Sequence, residues 1–308
     1  PMVQAKVALV CDSSVCLPQE IIDEYEIQVV PLELSIEGKT YLDGVDISHQ
    51  EFYSLLAESE KLPTTSAPSP ASFIDAFIKA AAHAESILCL TLLSTVSTTY
   101  SVAVTAGAMS WEVMPETTIK VMDTHTAAGG LGLVVLAAAR VAAQNGSLSQ
   151  VKAEAQRVMR GVKLVAFLDT LHYLSKGGRI PRIAAWAGSA LKLKPIIELS
   201  HGEIRPLERP RTRRRAIERL LDIVRGQANY TPIRANVMHS VALDDAIGLK
   251  ERLMTEFNCM EVVVSEFTPV MGAHMGPGLL GIAFYREGNF QVRPGGYDCL
   301  ENFHVLCA

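Results

Sequence analysis

The sequence predicts an α/β protein of two domains, a parallel three-layer sandwich followed by a mixed sheet with helices. Length is the first ground: 308 residues correspond to about two domains of roughly 150 residues each. Rhythm is the second. Up to residue 161, short β-type runs alternate with longer helical patterns, the spacing of βαβ units with parallel strands. The third is a change of rhythm from Val162, after which Ser200-His201-Gly202 separates two β-type runs and signals a hairpin, hence antiparallel pairing. The expected domains are therefore 1–161 and 162–308.

Each element has its own local reason. Lys6–Cys11 reads as a buried strand, followed by the capping-type cluster Asp12-Ser13-Ser14 and a helix over Pro18–Tyr25. Ile27–Ile36 reads as a second strand and Ser48–Ser59 as a short helix. Ser69–Ala82 reads as a helix with Pro70 in its first turn, where a missing N–H costs nothing. Ser86–Leu92 and Thr118–Asp123 are further strands, separated by a helix over Thr99–Ser110. Helices over 127–144 and 148–161 lead into the second domain. There, strands are expected at Lys194–Leu199, Glu203–Glu208, Arg234–His239, Glu261–Glu266 and Gly281–Arg286, with an amphipathic helix over Ala242–Phe257. No repeat or low-complexity linker separates the halves, so they are expected to pack together around a cleft.

Composition narrows the function. Hydrophobic residues make up 49% and charged residues 20%, an ordinary globular balance with ample core. A formal net charge of −5 argues against general affinity for nucleic acid or anionic membrane. The six cysteines form no C-x-x-C pair, and Cys11 and Cys89 sit inside apolar runs, so reduced core thiols and a cytoplasmic location are expected. Val7–Val10 is too short for a signal core. Ala127–Ala143 is the most membrane-like stretch, but three glycines dilute it and Arg140 interrupts it, so a buried helix is expected. The chain has no G-x-S-x-G elbow, no H-E-x-x-H, and no G-x-G-x-x-G after its first strand. No metal and no cofactor are expected.

Three stretches carry polar groups toward a possible ligand. Residues 265–283 set His274 in a glycine- and proline-rich loop, in which Gly272, Gly276 and Gly278 allow close approach or positive φ. Residues 63–69 and 93–100 are hydroxyl-rich and precede helices; they include Thr65, Ser94 and Ser97. Hydroxyls at helix starts also serve as plain caps, yet two such loops beside a histidine loop suggest one small anionic group held between domains. Lys176-Gly177-Gly178-Arg179 lacks the spacing of a phosphate loop. Arg209, Arg211, Arg213, Arg214, Arg215 and Arg219 form a basic cluster, read either as a solvated face or as a docking surface for an acidic partner.

In order along the chain, further stretches match one family. They are Asp12-Ser13-Ser14, Val30-Pro31-Leu32, Tyr41–Ser48, Thr65-Ser66-Ala67-Pro68-Ser69, Ser97-Thr98-Thr99-Tyr100, Lys176–Ile180, Lys194-Pro195-Ile196 and Gly276-Pro277-Gly278. The ordered set resembles the DegV family, the fatty-acid-binding subunits that work with bacterial fatty acid kinase. The resemblance implies an N-terminal α/β/α domain with a parallel sheet, a C-terminal α/β/α domain with a mixed sheet, and a ligand tunnel between them. It implies a long-chain fatty acid as ligand and a dihydroxyacetone-kinase-like fatty acid kinase subunit as partner. Thr65, Ser94 and His274 should surround the carboxylate, with Ser97 and Gly276 close by, and Arg179 and Arg211 should serve partner docking or phosphate contact. Four positions depart from the family pattern: Leu93, Thr98, Thr124 and Met275.

A sixteen-carbon tail offers on the order of 10 kcal/mol at about 0.8 kcal/mol per methylene, so the head group needs only to be satisfied. The competing reading is an acyl hydrolase or transferase with Ser94 or Thr65 as nucleophile and His274 as base. A third is a regulatory protein acting through the arginine cluster.

Overall fold

The computed structural model describes residues 5–178 and 193–288. The first half runs β1 (Ala5–Asp12), α1 (Gln19–Glu24), β2 (Gln28–Val30), β3 (Glu33–Ile36), β4 (Lys39–Leu42), α2 (His49–Glu58), β5 (Thr64–Ser66), α3 (Pro70–Ala81), β6 (Ala84–Thr91), α4 (Thr99–Met109), β7 (Thr118–Asp123), α5 (Ala128–Ala143) and α6 (Leu148–Gly161). The second runs β8 (Lys163–Phe167), α7 (His172–Lys176), β9 (Ile196–Ser200), β10 (Glu203–Glu208), α8 (Arg213–Ala228), β11 (Ile233–His239), α9 (Leu243–Glu256), β12 (Cys259–Glu266), α10 (Pro269–Met275) and β13 (Leu280–Arg286).

Two large sheets organise these elements. The first has the order β2-β1-β6-β7 and is parallel throughout. One of its faces packs on α3 and α4, through Phe73, Phe77, Ala103 and Ala106 against Val10, Ile87 and Cys89. The second has the order β10-β9-β8-β13-β11-β12, with β11 and β12 parallel and the other neighbours antiparallel. Its outer face packs on α8 and α9, through Leu220, Val224, Leu249 and Leu253.

The two remaining faces share one helical layer. Helices α5 and α6 pack on Leu9 and Leu90 of the parallel sheet and on Ala166, Leu199 and Ala283 of the mixed sheet, all within one continuous core. Thirteen of the sixteen residues of α5 are buried, so this helix has no polar face to offer solvent. Its glycines permit close approach: a side chain at Gly129 would meet Met238 of β11, and one at Gly132 would meet the Cys16 carbonyl at 2.5 Å. The membrane-like run is therefore the central layer of an α/β/α/β/α stack. Asn236, fully buried on β11, joins the halves by donating to the Cys16 carbonyl at 2.7 Å while accepting from Ser265 at 2.7 Å.

A third, small antiparallel sheet, β4-β3-β5, was not anticipated. The run Ile27–Ile36, expected as one strand, is two. Pro31 has no N–H for a ladder, so the chain leaves the parallel sheet after Val30 and starts a new sheet at Glu33. Together with α2 and α10, this sheet encloses its own apolar cluster of Leu32, Leu34, Ile47, Phe52, Leu56, Val270 and Ala273. Asp12-Ser13-Ser14 does not cap α1, whose N-cap is Pro18. Instead the buried Asp12 carboxylate accepts from the Ser14 N–H and hydroxyl and from the Leu92 N–H at 2.7 Å, tying the ends of β1 and β6 together.

Candidate functional site

The histidine stretch is a helix rather than a loop. Pro269 presets φ in the first turn of α10, Thr268 precedes it, and His274 falls in the last turn. The helix runs through Gly272, whose missing side chain makes room for the Tyr53 phenol and the Phe52 ring on α2. Gly276 ends the helix at φ 74°, and any side chain there would run into the Tyr173 ring. Leaving a helix in the left-handed region against an aromatic face requires glycine.

His274 meets a residue 209 positions away: its Nε2 lies 2.7 Å from Thr65 Oγ1 on β5. Thr65 pairs with Leu34 in the small sheet, so the strand fixes the hydroxyl rather than a free loop. Beneath α10, Asp43 Oδ1 accepts from the Val270 N–H at 3.1 Å and Oδ2 accepts from the Ser13 hydroxyl at 2.6 Å. Burial pushes the Asp43 carboxyl above its ordinary pKa, and the hydrogen bonds from Ser13 and Val270 oppose that rise.

The loop after β6 brings Ser94 and Ser97. The Ser94 N–H donates to Asp123 Oδ2 at 3.1 Å, leaving its hydroxyl exposed. Ser97 Oγ lies 2.8 Å from the Thr99 hydroxyl and accepts from the Thr99 N–H at 3.2 Å, a hydroxyl turn at the start of α4. Thr98 is the N-cap of α4 and makes no side-chain cap bond.

These groups border a cavity of about 520 Å³ between the halves. That volume lies within the roughly 300–1,000 Å³ of small-molecule sites. Leu164 and Ala166 of β8 and Ile197 and Leu199 of β9 form one apolar wall, since alternate residues of a strand face one side. Ala127, Ala128, Phe267, Met271 and Leu279 extend it. Polar lining comes from Thr65, Ser66, Ser94, Thr95, Ser97, Thr98 and His274, and no Asp, Glu, Lys or Arg among the described residues lines the space. Such a cavity accepts a long apolar body and satisfies a small polar end through hydroxyls and an imidazole. Among the described residues, no group of His, Cys, Asp or Glu is arranged to hold a metal ion, and no helix is long and apolar enough to cross a membrane.

Of the residues expected at the ligand, Thr65, Ser94, Ser97 and His274 line the cavity together. Gly276 does not line it and acts behind it by ending α10. Three of the departing positions, Leu93, Thr98 and Met275, lie in the lining as well. Arg211 is exposed, outside the cavity lining, and Arg179 lies outside the described residues. Two arginines of the basic cluster hold ion pairs within the fold: Arg213 with Asp169 and Asp245, and Arg219 with Glu208 and Asp222. The wall residues are not among those expected at the ligand, although the alternation in Leu164-Val165-Ala166 and Ile197-Glu198-Leu199 carries their signal.

Known proteins share this architecture. A family model described as "Uncharacterised protein, DegV family" matches residues 6–287. A DegV domain-containing protein of Clostridium perfringens is 32% identical over 282 residues, covering 91% of this chain and 99% of its own length. A solved DegV family protein from Thermus thermophilus, described by its fatty-acid binding, superposes with a TM-score of 0.84 at 31% identity, covering 92% of this chain and 100% of its own. DegV from Bacillus subtilis, described as a fatty acid binding protein, gives a TM-score of 0.81 at 27% identity with the same coverage of both chains. With the match spanning both sheets, the shared helical layer and the cavity between them, the chain belongs to the DegV family.

Proposed function

We propose that this chain binds a long-chain fatty acid in the cavity between its halves and presents the carboxylate to a kinase subunit for acyl-phosphate formation. The carrying observation is the Thr65–His274 pair, 2.7 Å apart, beside a cavity otherwise lined by aliphatic, aromatic and neutral hydroxyl groups. A buried carboxylate needs donors, and hydroxyls with an imidazole supply them without a salt bridge. A head group held this way stays available to an incoming phosphoryl group. Relatives described as fatty-acid binding support the same reading. On this reading the protein is a cytoplasmic carrier, and exposed Arg211 contributes to partner docking.

Native mass spectrometry of the purified chain, followed by denaturing extraction, tests the ligand. The expected result is one copurified long-chain fatty acid per chain; an empty protein that takes up no fatty acid on titration would sink the proposal. For the partner, Arg211→Glu should reduce kinase-dependent acyl phosphate formation while fatty-acid binding survives, and loss of binding instead would remove Arg211 from the docking role.

The same hydrogen bond favours a second reading, because a hydroxyl beside an imidazole is also a nucleophile–base pair. That reading expects hydrolysis of acyl esters by the chain alone, lost on Thr65→Val or Ser94→Ala. The carrier reading expects no turnover from either wild type or variants.

A further inference from the structure

We infer that Asp43, Tyr53 and Ser240 are positioning residues that clamp helix α10 at both ends, so that His274 faces the bound head group in one fixed orientation. The inference rests on the carboxylate reading above. It gives a physical task to the segment Tyr41–Ser48 and its continuation into α2, which the cavity itself does not use.

Helix α10 has seven residues, about two turns, and a helix that short has no stability of its own in water. Its first N–H groups and last carbonyls also need partners from outside. At the N-terminal end, Val270 donates to Asp43. Asp43 is 2% exposed, and its other oxygen is held by the Ser13 hydroxyl, which in turn accepts from the Leu32 N–H at 3.0 Å. The carboxylate therefore cannot swing away from the helix.

At the C-terminal end, the Ser240 hydroxyl donates to the Gly276 carbonyl at 2.9 Å. That uses the one proton of Ser240, so Tyr53 must be the donor in its own hydrogen bond to Ser240 Oγ. Ser240 is fixed by its backbone, which donates to the Leu279 carbonyl at 3.1 Å and accepts from the Gly278 N–H at 2.7 Å. Between the clamps, Gly272 lets the helix rest directly on Tyr53 and Phe52. Asp43, Tyr53 and Thr65 all belong to residues 32–66, the small sheet and its helix. Both the histidine and its hydroxyl partner are thus referenced to one unit, the kind of support that holds a site to within about 0.5 Å.

The test titrates oleate and methyl oleate into the full chain and into Tyr53→Phe, Ser240→Ala and Asp43→Asn. [1-13C]oleate reports the carboxyl resonance across pH. Oleate affinity should fall about three- to tenfold in each variant while methyl oleate affinity stays within about twofold, and the carboxyl resonance should move in position and pH midpoint. A general packing defect would weaken acid and ester alike. A wild-type chain that discriminates acid from ester, with variants that keep its ratio and its carboxyl resonance, overturns the inference alone. A wild-type chain that binds both equally overturns the carboxylate reading and this inference with it. Should Asp43→Asn not fold, Tyr53→Phe and Ser240→Ala carry the decision.

Discussion

The apolar wall and the polar end of the cavity are built by different means. The wall comes from two neighbouring strands, where Leu164, Ala166, Ile197 and Leu199 line up because a strand turns alternate residues to one side. The polar end is assembled from three separate pieces: β5 with Thr65, the loop after β6 with Ser94, and α10 with His274. Regular backbone pairing holds the wall. The polar end depends on individual hydrogen bonds, and two of its pieces rest on buried acids, the Ser94 loop on Asp12 and α10 on Asp43. Affinity is thus expected to be set by the wall, and orientation by the polar end.

The largest effect should come from filling the wall. Ala166 faces the cavity and stands in register with Gly281 on the neighbouring strand β13. Ala166→Leu displaces about three methylenes of a ligand, about 2.4 kcal/mol or some sixtyfold in affinity. Titration calorimetry with oleate checks this, and unchanged affinity would mean that the tail lies elsewhere.

Comparable in size, but read in stability rather than binding, is the support beneath the Ser94 loop. Burial pushes the Asp12 carboxyl up to about 6 against its hydrogen bonds from Ser14 and Leu92. The folded state therefore holds this proton more tightly than the unfolded state. The stabilising contribution is fully present below the unfolded value of 3.8 and is lost as pH rises through about 6. Denaturant unfolding between pH 4 and 7 should show on the order of 2–3 kcal/mol from this group, absent in Asp12→Asn. Asn cannot accept on both sides, so that variant should also lose about 2 kcal/mol at neutral pH. A pH profile identical to wild type would show that another group carries the dependence.

Smaller effects separate the polar groups from one another. Thr65→Val removes the hydroxyl beside His274 and keeps the shape, so fatty-acid affinity should fall about tenfold while ester affinity holds. Ser97→Ala should act as loss of a helix-start hydrogen bond, about 1 kcal/mol in thermal unfolding and under threefold in binding. A large binding loss there would make Ser97 a ligand contact rather than a cap.

Much of this fold is legible locally. Thr118–Asp123 and Glu203–Glu208 coincide with strands of the same bounds, because period-two patterns bounded by turn residues carry their own signal. Lys163–Phe167 escaped: a short apolar run in the centre of a sheet looks the same as the end of a buried helix, and it follows α6 directly. The break at Pro31 was visible as a proline, yet a hydrophobic run on both sides masked the change of sheet. At the site, the residue types in Thr65, Ser94 and His274 mark the polar end, whereas Asp43 stands in the sequence only as one member of the stretch Tyr41–Ser48. Its role depends on Val270, 227 positions away.

Local patterns in the chain suffice for the α/β class with its parallel and mixed halves, most elements, the buried character of Ala127–Ala143 and the residue types at the polar end. These follow from periodicities and turn chemistry confined to some ten neighbouring residues. Long-range packing sets the rest: one helical layer serves both sheets, His274 rides a short helix held from outside, and Thr65 reaches its imidazole. Those outcomes depend on which apolar faces meet and which buried polar atoms find partners. That is a competition among all segments at once, and no single stretch encodes it.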